Sequence, residues 1–262
     1  MAISLDTLAH AEHEAPNLII YGSRGVGKTT FAASAPKPVM IRTERVGYIE
    51  GVQMFPVAET FEDVMDAMTS LASEDHDFKT LIVDSLDWLE TLVWRHLIKV
   101  RPTDEKGRPV KDISDYGFGK GYAHAIDYWG EYMRAIEYLR TKKGMTIIQI
   151  AHAEVKRFDD PTTDSYDRYQ IKLHAKAGDK LQEAADGVLF VKAVHQTTKE
   201  AVGFNSEKTR AIGSGERVLY TDARPAFDAK NRFNLPFEIQ IPQSDGFAKL
   251  SRFIPFFEGE KS

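Results

Sequence analysis

The 262-residue chain contains no cysteine, so a disulfide framework and a thiolate metal centre are both excluded. That composition suits a reducing cytoplasm without fixing the compartment. No stretch reaches the length of a membrane span, which predicts no membrane partner. Residues 1–16 carry Asp6, Glu12 and Glu14 and lack the apolar core of a signal peptide, so a soluble intracellular protein is expected. An excess of positive charge is missing too: 34 Lys and Arg stand against 39 Asp and Glu, a net charge of −5. This argues against a protein that coats nucleic acid by bulk charge, and any such contact has to be local. No internal repeat or low-complexity tract is evident.

What is present is a hydrophobic content of 42%, ample for a substantial core and compatible with one α/β domain carrying insertions. The expected organisation is a polar arm over residues 1–16, with a short apolar pattern (Ile3, Leu5, Leu8), followed by a single domain over residues 17–262. The arm reads as either disordered or docked on a neighbouring subunit.

The stretch with most chemistry is Gly22-Ser23-Arg24-Gly25-Val26-Gly27-Lys28-Thr29, a complete G-x-x-x-x-G-K-T phosphate-binding loop with Thr30 behind it. The run Asn17-Leu18-Ile19-Ile20-Tyr21 before it predicts a buried parallel strand, and residues 29–35 predict a helix that Pro36 and Pro38 end. Glycine lets successive backbone N–H groups face a phosphate, with a helix N-terminus behind them. Lys28 then supplies charge between the β- and γ-phosphates, and the Thr29 hydroxyl is a ligand for Mg²⁺. The pattern arises by chance in about one chain in a hundred of this length, and the flanking strand and helix reduce that further.

Pro38-Val39-Met40-Ile41-Arg42-Thr43-Glu44 predicts a second core strand whose carboxyl end delivers Glu44. Residues 51–57 predict another short strand, and Phe61, Val64, Met65, Met68 and Leu71 recur at helical spacing behind Thr60 as a cap. Thr80-Leu81-Ile82-Val83-Asp84-Ser85 is an apolar strand ending in a carboxylate, the second nucleotide signature, whose aspartate holds Mg²⁺ beside the phosphate loop. Where many ATPases carry a second acid, this chain has Ser85. The group that positions water must therefore come from elsewhere: Glu44 is best placed, and Asp87 and Glu90 on the next helix (residues 85–100) are weaker because they are expected to point away from the strand end.

Residues 101–115 break the pattern with Pro102, Gly107 and Pro109 and carry Arg101, Lys106, Arg108 and Lys111 among acids, which predicts a mobile loop. Gly117-Phe118-Gly119-Lys120-Gly121-Tyr122 follows, a glycine-rich entry with aromatics and a cation suited to a nucleic-acid strand or to an ordinary helix start; a long helix is expected over residues 123–143. Residues 144–152 predict a fourth core strand that ends in His152, within reach of a γ-phosphate. A second polar loop is expected over residues 153–169, with Lys156, Arg157 and Arg168 outnumbered by acids. Strands are expected at residues 169–174, 187–194, 217–220 and 237–241, a helix at 179–185, and a turn at 226–232 containing Lys230 and Arg232.

With those landmarks in place the chain resembles RecA-core ATPases, and most of all phage-encoded ATP-binding single-strand annealing proteins with a minimal RecA-like core. The resemblance covers residues 18–241. It implies a RecA-like α/β fold, a mostly parallel twisted sheet flanked by helices with a β-rich C-terminal end. It also implies ATP and Mg²⁺ as cofactors, Glu44 orienting the attacking water and Asp84-Ser85 closing the second signature. His152 stands where RecA itself has a glutamine that senses the γ-phosphate. The two polar loops then fall where such proteins bind single-stranded DNA, and Lys230 and Arg232 match a Lys-x-Arg pattern projected into a neighbouring subunit's site. The implied function is ATP-dependent annealing or strand exchange in phage recombination, in the bacterial host's cytoplasm, as a homo-oligomeric ring or filament and beside a single-strand DNA-binding protein. Two rivals stay open: a helicase-like or loader motor in phage replication, and a nucleotide-gated regulatory or assembly protein with no nucleic-acid partner.

Overall fold

The computed structural model describes residues 13–160, 162–201, 207–242 and 244–258, with side chains left out over 195–201 and 207–215. The expected arm, including Ile3, Leu5 and Leu8, lies outside the described residues apart from 13–16. Of these, Ala15 is buried and the Pro16 carbonyl accepts from Ile147 N, so the end of the arm already belongs to the folded body.

Among the described residues ten strands form in chain order: β1 Asn17–Gly22, β2 Pro38–Arg42, β3 Gln53–Val57, β4 Thr80–Asp84, β5 Thr146–Phe158, β6 Tyr166–Ile171, β7 Gly187–Ala201, β8 Glu207–Tyr220, β9 Lys230–Asn231 and β10 Glu238–Ile241. The helices are α1 Lys28–Ala33, α2 Phe61–Ser73, α3 Leu86–Val100, α4 Lys120–Lys143, α5 Ala175–Ala184 and α6 Gly246–Ser251. Across the sheet the order is β3-β2-β4-β5-β1-β7-β8-β10. The first six run parallel, and β8 and β10 extend the sheet antiparallel at the C-terminal side. This is the mostly parallel sheet flanked by helices that was expected, β-rich at its C-terminal end, with β5 between β1, which leads into the phosphate loop, and β4, which ends in Asp84.

Strand periodicity explains the unbroken apolar runs. In β1, Ile19 and Tyr21 join the core on one face, with α2, α3, α4 and α5, while Leu18 and Ile20 join the core on the other, with α1 and α6. A strand buried on both faces needs no polar alternation. On the first face Trp129 and Tyr132 of α4 are fully buried. On the second, Phe31 of α1 meets Phe247 of α6 edge to face. Helix ends follow local chemistry: Thr60 and Asp63 form a reciprocal capping box on α2. Gly144, at φ 64°, ends α4 beyond Arg140, Lys142 and Lys143.

Several elements differ from the sequence expectation. The helix α4 begins at Lys120, not 123, because Gly121 packs its backbone against Ile113 and Tyr116 where a side chain would clash. Residues 153–158, expected in a loop, continue β5 and pair antiparallel with β6. Ala153 pairs with Ile171 and Val155 with Tyr169 on one face, Glu154 with Gln170 and Lys156 with Arg168 on the other, an apolar alternation too short to stand out from the charged residues around it. β7 and β8 also run much further than 187–194 and 217–220, as a two-stranded ribbon. The turn at 226–232 contains β9, which pairs with Gly187 and Val188.

Candidate nucleotide site

The carboxyl ends of β1, β2 and β4 and the middle of β5 meet around a cavity of about 350 Å³. Gly25, Gly27, Lys28, Thr29 and Thr30 line it from the phosphate loop, Glu44, Arg45 and Val46 from the segment after β2, Asp84 from β4 and His152 from β5. The loop needs its glycines for different reasons. At Gly22 a Cβ would stand 2.4 Å from the Val191 carbonyl, and Gly25 and Gly27 hold φ of 73° and 89°. Because α1 is only six residues long, the backbone N–H groups of the loop, more than a long helix dipole, make the anion cradle. Of the remaining loop residues, Ser23 and Arg24 are exposed and Val26 is buried.

Lys28 is buried, and its ammonium donates to the carbonyls of Gly22 and Ser23, both at 3.0 Å. Burial pushes its pKa down, against the attraction of Asp84, Asp87 and Glu44. Thr29 Oγ1 donates to Asp84 Oδ2 at 2.8 Å. Burial raises the Asp84 pKa, eased by that hydrogen bond. A hydroxyl and a carboxylate side by side are hard oxygen donors that fit Mg²⁺, which usually takes one or two protein oxygens and completes its shell with water and phosphate. No cluster of three or more His, Cys, Asp or Glu suited to a metal occurs among the described residues.

Glu44 sits two residues past β2. Thr43 Oγ1 bridges the Ser85 backbone, accepting from its N–H and donating to its carbonyl, each at 2.7 Å. Ser85 Oγ then donates to Glu44 Oε1 at 2.9 Å. The Asp84-Ser85 peptide is cis. His152, opposite Gly22 in the β1–β5 pairing, is held through Asp87, whose carboxylate accepts from both the backbone N–H and Nδ1 of His152. Asp87 thus points at His152, midway along β5 where its parallel pairing with β1 stops, against the expectation that it turns away. Burial works against its charge, but the hydrogen bonds and charge of His152 outweigh it, and the pKa is lowered. Glu90, the other weaker choice, is buried away from the cavity and accepts from the His174 backbone N–H.

The eight loop cations separate into distinct groups. Lys106 and Lys111 are exposed, with no side-chain partner among the described residues. Arg101 contacts His124 Nδ1, and Arg157 lies 3.7 Å from Asp159. Arg108 pairs with Asp104, Lys120 with Glu105 and Lys156 with Glu154. Arg168 is turned inward, bonded to Asp228 at 2.6 Å and over the Phe158 ring. The first loop is locally built, with a Thr103 to Pro109 bridge and a 3₁₀ turn at Ile113–Tyr116. Tyr122 is stacked on His174 at 3.9 Å, whereas Phe118 is wholly exposed.

Lys230 and Arg232 lie at the other end of the sheet. Lys230 opposes Val188, three residues before the Val191 that faces Gly22, or about 10 Å along the strands from the start of the phosphate loop. Its ammonium donates to the Gln182 and Glu183 carbonyls at the end of α5, and Arg232 reaches Asp186 and the Glu183 carbonyl. Neither meets the cavity of its own chain. Sequence reasoning missed Thr43, Arg45 and Val46, and also Arg217 of β8, whose guanidinium lies on the phosphate loop. The Ser85 neighbour of Asp84 was the one available pointer to Thr43.

A family model described as AAA domain matches residues 14–233. No curated protein is significantly similar to the chain. Among solved structures, the crystal structure of the RadB recombinase aligns at 15% identity and a TM-score of 0.49, over 89% of this chain and 90% of that one. Among the described residues no helix is long and apolar enough to cross a membrane.

Proposed function

Because the chain belongs to the AAA domain family, we propose that the cavity binds MgATP and that the chain hydrolyses it to drive recombination on single-stranded DNA. The observation that carries this reading is the convergence of Lys28, the Thr29–Asp84 pair and the Ser85-held Glu44 on one cavity. Lys28 neutralises charge on the transferred phosphoryl group, and Glu44 orients the attacking water. Thr29 and Asp84 would hold Mg²⁺, which would supply positive charge against the phosphates. His152, steadied by Asp87, faces the γ-phosphate end.

In this reading the protein is phage-encoded and promotes annealing or strand exchange as a ring or filament. Lys230 and Arg232 stand too far from their own cavity to serve it, so their contribution is to a neighbour's nucleotide. Lys106, Lys111, Arg101 and the exposed Phe118 form the first DNA-contacting surface. The second reading, a nucleotide-gated assembly protein without nucleic acid, draws on the acidic pairing of Arg108, Lys120, Lys156 and Arg168.

The deciding experiment is the ATP hydrolysis rate with and without single-stranded DNA, beside Lys28→Ala. Stimulation that the variant loses supports the recombination reading. A Lys28-dependent rate indifferent to DNA favours the assembly protein, and unwinding of a forked duplex would point to a motor.

A further inference from the structure

The phosphate loop is gripped from outside by a residue that no nucleotide motif contains. Arg217 lies on β8, paired with Ala193 of β7 and Ile241 of β10. Its Nη1 donates to the Gly27 carbonyl at 3.2 Å and sits 3.4 Å from the Val26 carbonyl, and its Nη2 donates to the Pro242 carbonyl at 2.8 Å. The guanidinium fills the space over Gly27 so closely that a Cβ there would stand 1.7 Å from Nη1. A side chain at Gly27 would therefore displace the guanidinium, while the φ of 89° itself requires glycine.

The consequence follows from peptide geometry. In a trans peptide the C=O and N–H point in opposite directions. The Val26 carbonyl shares its peptide unit with Gly27 N–H, and the Gly27 carbonyl shares its unit with Lys28 N–H. The Gly27 oxygen also accepts from Phe31 N–H at 3.0 Å as the first bond of α1, so there the Arg217 cation reinforces a direction the helix already sets. By holding the Val26 oxygen as well, it keeps both N–H groups on the side away from the guanidinium, where the cavity lies. It also polarises the peptides, which strengthens the N–H groups as donors to an anion. Arg, with a planar fork of five donors, satisfies three carbonyls at once where lysine has a single nitrogen.

We propose that Arg217 is a positioning residue for nucleotide phosphate, fixing the inward set of the Gly27 and Lys28 amides from the far side of the loop. This rests on the nucleotide reading of the cavity. It also ties that loop to β7 and β8, whose pairing continues beyond Arg217 as the two-stranded ribbon.

The test is titration of the full-length chain with MgADP in Arg217→Ala, Arg217→Gln and Arg217→Lys, together with steady-state ATPase kinetics and the melting temperature without nucleotide. Loss of charge-assisted bonds to the loop is expected to weaken MgADP binding about tenfold in Arg217→Ala. The lysine variant should recover part of that loss and the glutamine variant less. The KM for ATP should rise with a much smaller change in kcat. Unchanged MgADP affinity in whichever variants fold overturns the proposal, and so does a loss that tracks the nucleotide-free melting temperature. Lys28→Ala distinguishes the two failures: if it binds MgADP like the parent, the cavity is not the nucleotide site at all.

Discussion

Ser85 Oγ donates to Glu44 Oε1 at 2.9 Å, joining the end of β4 to the segment after β2. The bond uses one lone pair of one carboxylate oxygen and leaves the rest of the carboxylate to meet water. Glu44→Gln is expected to lower kcat by a factor on the order of 100, the usual range for a lost proton acceptor, with MgADP affinity little changed. Ser85→Ala removes one orienting bond, worth about 1 kcal/mol, so a kcat loss of about fivefold is expected. Single-turnover hydrolysis measures both, and equal losses in the two variants would mean that Ser85 acts on more than Glu44.

The Thr29–Asp84 pair makes a separate prediction about the cation. Removing the hydroxyl leaves Asp84 buried without its donor, while Thr29→Ser keeps the bond. Thr29→Ala is expected to raise the Mg²⁺ concentration for half-maximal ATPase activity by about tenfold or more, and Thr29→Ser by much less. A Mg²⁺ titration at fixed ATP reads the difference.

How far the sequence revealed this arrangement depended on which force shaped each element. Asn17 to Tyr21 and Thr80 to Asp84 are apolar because parallel strands are buried on both faces, and both were legible together with the residues at their ends. Glu44 was legible because it follows such a strand. The continuation of β5 past His152 was hidden, because its apolar alternation, Ala153 and Val155 opposite Ile171 and Tyr169, is only two residues long and runs into Lys156, Arg157 and the acids after Phe158. Asp87 was misjudged for another reason: its partner His152 is 65 residues away, and only the parallel pairing of β4 with β5 brings the start of α3 to that point of the strand. Arg217 left no signal, since its partners are carbonyl oxygens that every residue possesses.

Phe118 is the best-exposed aromatic of the first loop, set between Gly117 and Gly119 and itself at φ 48°. With Lys106 and Lys111 exposed on the same loop, it offers a ring to a base. Stacking on an aromatic contributes about 1–3 kcal/mol per base, so Phe118→Ala is expected to weaken single-strand binding by at least fivefold, with the DNA-free ATPase rate unchanged. Charge reversal at Lys106 and Lys111 should weaken binding and flatten its salt dependence. Fluorescence anisotropy with a labelled oligonucleotide across a salt series tests both, and parental affinity in both variants would remove the loop from the interface.

Glu90 predicts how stability varies with pH. Burial pushes its carboxyl up to about 7, while the His174 N–H and Lys156 favour its charge and Asp87 and Glu154 oppose it. Since the folded value exceeds the unfolded one, the folded state holds the extra proton. The stability tied to Glu90 is therefore fully present below about pH 4.5 and is lost as pH rises toward 7. A shift of that size corresponds to about 3 kcal/mol across the window. Glu90→Gln keeps the shape and the acceptor for His174 without the ionisation. Urea unfolding from pH 4.5 to 8 should show the parent losing stability relative to the variant as pH rises, with the two curves running parallel above pH 7. A difference that stays constant through the window would mean that Glu90 is ionised in the folded protein throughout, with Lys156 near enough to compensate for its burial.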